Sequence, residues 1–310
     1  MNGVLIVDKP SGWTSHDVVN RVRRILGQRS VGHLGTLDPL ATGVLPLVTG
    51  SLTRLAQFYT ASEKTYEGVI RFGFATDTYD AEGEPAAPAQ LVNLSLEQAR
   101  ELAAGFRGMI EQMPPPFSAK KINGVPAYKL ARKQKEVILQ PVQVEVKEFE
   151  ILSVSADRAH FRARVASGTY MRSVAHDLGQ RLGCGAHLES LRRTAVAEFT
   201  LADAHTLEEI QNGAPDASSE AIAALFVHPR LLLPNLPSVT ADEANAARIR
   251  SGRPVNLPEL SSARQVKVFV GQSELIAIAT RVAGTLFHPG IVFATEEKAA
   301  TARSKARISG

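Results

Sequence analysis

The segment from Gly32 to Pro46 contains the residues best suited to chemistry. It reads Gly-His-Leu-Gly-Thr-Leu-Asp-Pro-Leu-Ala-Thr-Gly-Val-Leu-Pro and places the carboxylate Asp38 shortly after the imidazole His33. A carboxylate can act as a nucleophile or as a general base. Read alone, however, Asp38-Pro39 is typical of a turn, and His33 is typical of a hydrogen-bonded structural histidine. The segment by itself therefore leaves a structural role open.

Motifs that bind metals or nucleotides do not accompany these residues. His33 has no His-x-His or His-Glu-x-x-His partner, and neither a phosphate-binding loop nor a Gly-x-Gly-x-x-Gly fingerprint occurs in the segment. The single cysteine, Cys184, excludes a disulfide framework and a cysteine-cluster metal site, and is typical of a reducing compartment. We expect a reaction that needs no cofactor and no metal.

The charge balance indicates a polyanionic partner. The chain has 310 residues, 44% of them hydrophobic, with 35 Lys and Arg against 31 Asp and Glu, for a net charge of +4. Basic residues cluster between Phe117 and Lys135, where no acidic residue occurs. The alternative that this run is an ordinary solvated face stays open, as it does for Arg21, Arg23 and Arg24 on the first predicted helix.

The elements that would position these residues form an irregular series of strands and helices. A strand is predicted at Gly3 to Asp8, and a helix begins at Thr14 or Ser15, whose hydroxyl can cap it, and ends at Gly27. Residues 32 to 50 are rich in Gly and Pro and are interpreted as a loop. Further predicted strands are 65–74, 142–154, 160–166, 265–270 and 275–280, and further predicted helices are 95–105, 170–182 and 242–250. This order predicts an α+β fold with a mixed or antiparallel sheet.

Composition divides the chain into three parts. A Leu- and Pro-rich connector near residues 231 to 238 separates a larger domain, residues 1–230, from a small β-rich module, residues 231–297. Residues 298–310 are predicted to form a basic disordered tail. The N-terminus lacks the features of a signal peptide, and no apolar stretch is long enough to span a membrane. We therefore expect a soluble cytoplasmic protein.

Five segments in order resemble the tRNA pseudouridine synthases that modify the T-loop uridine, the TruB-type family. Together they cover about residues 3 to 195. The segments are Lys9-Pro10-Ser11-Gly12-Trp13-Thr14-Ser15; residues 32–46; Lys64-Thr65-Tyr66 leading to Thr76-Asp77-Thr78-Tyr79-Asp80; Pro115-Pro116-Phe117-Ser118-Ala119-Lys120-Lys121; and Ser167-Gly168-Thr169-Tyr170-Met171-Arg172 leading to Asp177-Leu178-Gly179 and Leu191-Arg192-Arg193-Thr194. The C-terminal module resembles, more loosely, the small RNA-binding PUA-type domain of many relatives.

The resemblance implies a pseudouridine synthase catalytic domain and isomerisation of uridine, at position 55 of the tRNA T-loop, to pseudouridine. Asp38 matches the family's essential carboxylate, which acts beside the sugar as nucleophile or as base. Arg172 matches the arginine that keeps this carboxylate charged, so we expect an Asp38–Arg172 ion pair. Tyr66 matches the aromatic residue that stacks on the base and is assigned to removal of the C5 proton. These three are the predicted catalytic residues.

The resemblance also assigns RNA-binding roles. His33 matches the residue that fills the gap left by the flipped uridine, Leu191 the apolar residue that packs on the target base, and Lys9 a lysine that supports the pocket. The basic segment is a candidate phosphate clamp, with Lys120, Lys121, Lys129 and Arg132 as its predicted contacts. The chain departs from the family pattern at four places, none of them a predicted catalytic residue: Leu34, Phe117, Ala166 and Ala197-Glu198-Phe199.

Two other functions remain as alternatives at this stage. The same fold could serve as a non-catalytic chaperone that opens and refolds tRNA. A hydrolytic glycosidase would pair Asp38 with a second carboxylate, for which Asp77 and Asp80 are the candidates. In each case the predicted partner is tRNA, and we expect a monomer that does not associate with membranes.

Overall fold

The structure is a computed structural model that describes residues 1–117, 121–122, 125–126, 139–213 and 220–293. The predicted basic tail, residues 298–310, lies outside this range. Seven α-helices are described: α1 Ser15–Ile25, α2 Ala56–Tyr59, α3 Leu96–Ala104, α4 Met171–Leu182, α5 Leu207–Asn212, α6 Glu220–Ala224 and α7 Glu243–Arg250. None of these helices is long and apolar enough to cross a membrane.

Strands build a large sheet, a smaller sheet and a two-stranded hairpin. The first eight strands are β1 Gly3–Lys9, β2 Val31–His33, β3 Thr42–Thr49, β4 Lys64–Phe72, β5 Gly108–Gln112, β6 Lys121–Ile122, β7 Val125–Pro126 and β8 Val142–Ser155. The others are β9 Arg158–Val165, β10 Ala186–Val196, β11 Phe199–Thr200, β12 Ser238–Thr240, β13 Val255–Asn256, β14 Gln265–Val270, β15 Glu274–Ala283 and β16 Leu286–Val292.

The nine-stranded sheet is mixed, and this confirms the predicted α+β class. Its order is β1-β3-β10-β4-β9-β8-β5, with β2 beside β3 and β11 beside β10. All pairs are antiparallel except β3 and β10, which are parallel where Thr42 and Gly43 face Arg192 and Arg193. The smaller sheet has the order β12-β14-β15-β16-β13 and its own apolar core against α7.

Helix α1 follows from local sequence signals. The Thr14 side chain accepts from the backbone N–H of Asp17, and the Asp17 carboxylate accepts in return from the backbone N–H of Thr14, which completes a capping box. The chain leaves the helix at Gly27, whose φ of 57° lies in the left-handed region that favours glycine. The prediction of this helix is confirmed at both ends.

The interpretation of residues 32–50 as a loop is wrong for its second half. Residues 42–49 form β3, an interior strand that pairs with β1 on one side. Leu45 and Leu47 belong to the core under the helices, whereas Val44 and Val48 belong to the core that contacts the smaller sheet. A strand buried on both faces lacks the alternation of apolar and polar residues, and its Gly and Pro residues conceal it further.

Nine further strands are absent from the sequence prediction, among them the long strands β10 and β16. Strand β10 lies at the centre of the large sheet, and β16 is concealed in the sequence by its Pro289-Gly290 pair. The other predicted strands and helices occur within a few residues of their expected bounds. The site described next is built from the β2–β3 connection, strands β4 and β10, and the start of helix α4.

Candidate active site

A cavity of about 360 Å³ lies beside Asp38, between the β2–β3 connection and the start of helix α4. Five of the predicted site residues line it: His33, Asp38, Tyr66, Arg172 and Leu191. They come from four separate parts of the chain, which only the fold brings together. Arg193 and Lys64, which carry no predicted role, line the same cavity.

Asp38 and Arg172 form the predicted ion pair. The Nε atom of Arg172 lies 2.9 Å from Oδ2 of Asp38. The Nε–H is not aligned with this oxygen, so the contact is an ion pair without a regular hydrogen bond. The Arg172 side chain is 5% exposed and that of Asp38 is 38% exposed, so the carboxylate remains open to the cavity. A fixed cation thus faces a reachable carboxylate.

Backbone carbonyls fix the direction of the Arg172 guanidinium. Its Nη1 donates to the carbonyl oxygen of Thr78 at 3.1 Å, and its Nη2 donates to that of Phe117 at 3.0 Å. Arg172 is the second residue of α4, whose apolar face packs into the core. The guanidinium is therefore held by the helix, by the 76–80 segment and by the chain that leads into the basic segment.

Asp80 is a second carboxylate at Arg172. Its Oδ2 lies 3.6 Å from the Arg172 Nε, and its Oδ1 accepts from the Thr78 hydroxyl at 2.6 Å and from the Glu82 backbone N–H at 3.1 Å. Tyr79, with φ of 65°, turns the chain in front of it. The sequence prediction considers Asp80 only as the acid of a hydrolase, together with Asp77, which is exposed. The quoted Thr76 to Asp80 motif is the signal that could have identified Asp80 as an Arg172 partner.

Tyr66 and Leu191 reach the cavity from neighbouring strands of the large sheet. Tyr66 on β4 is 8% exposed and faces Arg193 across the β4–β10 pair. Leu191 on β10 is 9% exposed and faces Gly68, where a β-carbon would lie only 2.4 Å from the carbonyl oxygen of Ser190. An aromatic ring and an apolar side chain thus form one wall of the cavity, which suits a planar ligand.

His33, like Asp38 and Arg172, lines two cavities. It lines the first one and also a second of about 690 Å³, which in addition contains Asp80 and Glu82. Burial, followed by the charge of Arg193, lowers the pKa of His33, and its Nδ1 accepts weakly from the backbone N–H of Gly35 at 3.4 Å. The imidazole is therefore neutral near pH 7, with its proton on Nε2.

Lys9 binds the backbone next to Asp38 and does not line either cavity. Its buried Nζ donates to the carbonyl oxygens of Pro10 at 2.8 Å and Pro39 at 3.2 Å. Burial lowers its pKa to about 8, against the opposing charge of Asp38. Its position fits support of the pocket, whereas direct contact with RNA would require the buried amine to be uncovered.

The predicted phosphate clamp lies almost entirely outside the described residues. This applies to Lys120, Lys129 and Arg132, while Lys121 is described only as backbone of β6. The sequence leaves open whether the arginines of helix α1 are solvated or contact RNA. In the structure Arg23 donates to the carbonyl oxygen of Val31, and Arg21 donates to the side chain of Gln211. These two arginines have protein partners.

Two further cations, Lys64 and Arg193, line the cavity beside Asp38. Burial, reinforced by the charge of Arg193, lowers the pKa of Lys64 to about 8, and its Nζ donates to the carbonyl oxygen of Ser62. Burial also lowers the pKa of Arg193, against the opposing effects of Tyr66 and Asp38. Among the described residues no group of three or more His, Cys, Asp or Glu side chains is placed to hold a metal ion. The arrangement suits an uncharged planar base beside a carboxylate.

Comparison with known protein families gives two matches that adjoin. The family described as "TruB family pseudouridylate synthase (N terminal domain)" matches residues 23–171. The one described as "tRNA pseudouridylate synthase B C-terminal domain" matches residues 172–231. The second match contains Arg172, Leu191 and Arg193, so the two matches share the cavity.

Individual relatives extend the similarity over most of the chain. A tRNA pseudouridine synthase B of Solibacter usitatus is 51% identical over 94% of this chain and 100% of its own length. Another, of Aquifex aeolicus, is 39% identical over 92% of this chain and 98% of its own.

Solved structures share the fold. An H/ACA ribonucleoprotein bound to a substrate RNA containing 2′-deoxyuridine contains a chain that superposes with a TM-score of 0.70 at 23% identity, covering 95% of this chain and 86% of its own. A chain of a Cbf5-Nop10-Gar1 complex gives 0.67 at 24% identity, covering 95% of this chain and 84% of its own. At these identities the similarity concerns the architecture.

Proposed function

Because the chain belongs to the TruB family of pseudouridylate synthases, we propose that the cavity at Asp38 is where it isomerises a tRNA uridine to pseudouridine, at position 55 of the T-loop. The isomerisation of tRNA uridine itself follows from the family and its closely similar members. What supports this location is the contact between the reachable carboxylate of Asp38 and the buried guanidinium of Arg172. Nothing in the fold or the comparisons favours the chaperone alternative.

The reaction exchanges one bond to the sugar for another. The N1–C1′ bond breaks, the base turns, and C5 forms a bond with C1′. The proton on C5 is then lost, and N1 gains a proton from solvent. Asp38 acts beside C1′ as nucleophile or as base, and Arg172 stabilises the ionised form in which Asp38 begins and ends the reaction. The reaction contains no redox step.

The other residues of the cavity hold the base while it turns. We assign Tyr66 to stacking on the uracil and to removal of the C5 proton, and Leu191 to packing on the opposite side. A uridine must leave its stack to reach this cavity, at a cost of a few kcal/mol. We assign His33, which lines both cavities, to fill the gap in the RNA.

The experiment is tritium release from a tRNA transcript that carries [5-³H]uridine. The unchanged enzyme releases tritium to water and forms pseudouridine. Asp38→Asn is expected to abolish release while tRNA binding persists, because the amide keeps the size of the side chain but loses its charge. Asp77→Asn is the matched control, since Asp77 is exposed and lines neither cavity, and its turnover should stay normal.

Three outcomes distinguish the candidate functions. Substantial turnover by Asp38→Asn would refute the assignment of the carboxylate. Free uracil in place of pseudouridine would support the hydrolase, in which Asp80 is the available second carboxylate. Accelerated tRNA refolding without either product would support the chaperone.

The remaining expectations concern the context in which the enzyme works. We propose that residues 231–297 form an RNA-binding PUA-like module, which the separate core of the smaller sheet supports. A monomer is supported because one chain supplies all the named walls of the cavity. Mass determination by light scattering tests the monomer. A cytoplasmic location is the expectation for an enzyme that acts on tRNA.

A further inference from the structure

Arg193 is a buried cation for which the proposed reaction so far has no use. It is 0% exposed and is among the largest fully buried side chains of the described residues. Unlike Arg172, it forms no ion pair with a carboxylate within the part of the chain that the structure describes. A buried charge without a counterion strongly disfavours folding unless its hydrogen bonds are satisfied. Its position therefore requires an explanation.

Arg193 binds the backbone on both sides of Asp38. Its Nη2 donates to the carbonyl oxygen of Gly35 at 3.1 Å, and its Nη1 donates to that of Thr36 at 3.2 Å. Its Nε donates to the carbonyl oxygen of Val44 at 2.8 Å. The segment between these acceptors contains Asp38, so one side chain fixes both ends of the loop that carries the carboxylate.

The close packing of β3 against β10 leaves this arrangement little freedom. A β-carbon at Gly43 would lie 2.2 Å from the Arg193 carbonyl oxygen, and φ at Gly43 is 98°. The backbone of Arg193 is thus pressed against the end of the loop that its side chain also holds. A shift of Arg193 would move the Asp38 loop with it.

The same guanidinium meets Tyr66. The two residues face each other across the β4–β10 pair and line one cavity. Tyr66 is the group to which we assign the C5 proton. A cation at a phenol oxygen stabilises negative charge on that oxygen, most strongly where water is excluded.

We propose that Arg193 is a positioning residue that holds the Asp38 loop and stabilises the Tyr66 oxygen as the acceptor of the C5 proton. This rests on the proposed function. After C5 has joined C1′, the C5–H bond breaks and its electron pair restores the C5=C6 double bond. The proton passes to the Tyr66 oxygen as the hydroxyl of Tyr66 releases its own proton to water. Arg193 contacts no reacting atom and transfers no proton.

The test compares Arg193→Lys with Arg192→Lys on tRNA transcripts made with [5-¹H]uridine or [5-²H]uridine. Lysine keeps the charge at position 193 but cannot bind the three backbone carbonyls together. We expect kcat to fall by about 10- to 100-fold with KM nearly unchanged, as for loss of a group that acts only in the transition state. The deuterium isotope effect on kcat should rise, because loss of the C5 proton becomes slower relative to the other steps.

Arg192→Lys is the matched control. Arg192 is the neighbouring arginine, it forms an ion pair with Asp8 at 2.7 Å, and it does not line either cavity. Its kcat and isotope effect should stay at the wild-type values. A fall in kcat for Arg193→Lys without a change in the isotope effect would overturn the proposal, because it would indicate general damage to the fold. An unchanged kcat would overturn it as well.

A double-mutant cycle keeps the proposal testable if the isotope effects are small. In the Tyr66→Phe background, Arg193→Lys should lower kcat much less than in the wild type, because the Tyr66 hydroxyl, through which Arg193 is proposed to act, is absent. Equal effects in both backgrounds would exclude coupling through Tyr66. Inactivity of Asp38→Asn alongside such a result would show that the proposed function holds while the role of Arg193 does not.

Discussion

Two regions of the molecule bury charged side chains, and they do so differently. The first is the cavity around Asp38, where the carboxylate is paired with Arg172 and yet 38% exposed. The second, here called the junction, is the contact between the two sheets around Glu198. There Glu198 Oε1 accepts from the Tyr59 hydroxyl at 2.6 Å and from the Leu233 backbone N–H at 2.9 Å.

The junction matches its donors and acceptors within the protein. Lys267, which is 2% exposed, donates to the carbonyl oxygens of Arg230 at 2.8 Å and Leu232 at 2.6 Å. Apolar residues from both sheets surround the contact, including Phe199 and Phe269. Burial and the hydrogen bond with Glu198 raise the pKa of Tyr59, so that its hydroxyl stays a donor. We interpret these contacts as holding the two sheets together.

In the cavity, charged side chains remain accessible to a ligand. The Asp38 carboxylate faces open space, and Lys64 remains a partly covered cation at the rim. Carboxylates and cations that line an open cavity are characteristic of sites that bind a ligand. The comparison therefore predicts that changes in the cavity act on turnover, and that changes at the junction act on stability.

The largest effect is expected for Arg172→Ala. Its removal leaves Asp38 and the buried Asp80 without their common cation and empties the space between them. We expect kcat to fall by about 10²- to 10³-fold and the free energy of unfolding to fall by about 3 kcal/mol. Single-turnover kinetics and urea denaturation measure the two quantities. A variant with normal turnover would contradict the role of the ion pair.

A change at the junction should have the opposite profile. Glu198→Ala leaves the Tyr59 hydroxyl and the Leu233 N–H without their acceptor, so the free energy of unfolding should fall by about 2 kcal/mol. The kcat at a temperature well below the transition should stay within about threefold of the wild type, a difference of less than 1 kcal/mol. A large loss of turnover in a stable protein would show that the junction also tunes the cavity.

The sequence predicts local contacts in this molecule better than contacts between distant segments, for physical reasons. Helix α1 depends on contacts three residues apart, such as Thr14 with Asp17, and is therefore visible in the sequence. Pairing of Asp38 with Arg172 joins distant parts of the chain, so it could be expected only from the resemblance to a family. Strand β3 was missed because it is buried on both faces.

Arg193 shows the limit most clearly. Its neighbour Arg192 is equally an arginine on β10, yet Arg192 is half-exposed and pairs with Asp8, whereas Arg193 is fully buried. Adjacent residues of a strand point to opposite faces, and only the packing of the sheet decides which face is covered. No local pattern distinguishes the two.

The smallest predicted effect concerns pH and compares a lysine from each region. Burial and Arg193 lower the pKa of Lys64 to about 8, so raising the pH from 7 to 9 removes a positive charge from the rim of the cavity. We expect tRNA affinity to weaken by up to about fivefold, the value of one partly exposed charge contact of about 1 kcal/mol. Filter binding at constant ionic strength measures this change.

Unfolding does not account for such a loss. Between pH 8 and 10.5 the unfolded chain binds more protons at Lys64 than the folded protein does, so this group makes the free energy of unfolding increase with pH. Lys64→Gln should flatten the pH dependence of binding. Burial also lowers the pKa of Lys267 at the junction, but because its amine is bound to two carbonyls there, Lys267→Gln should keep the wild-type dependence. If Lys267→Gln flattened the curve and Lys64→Gln did not, the junction rather than the cavity rim would carry the titrating contact with RNA.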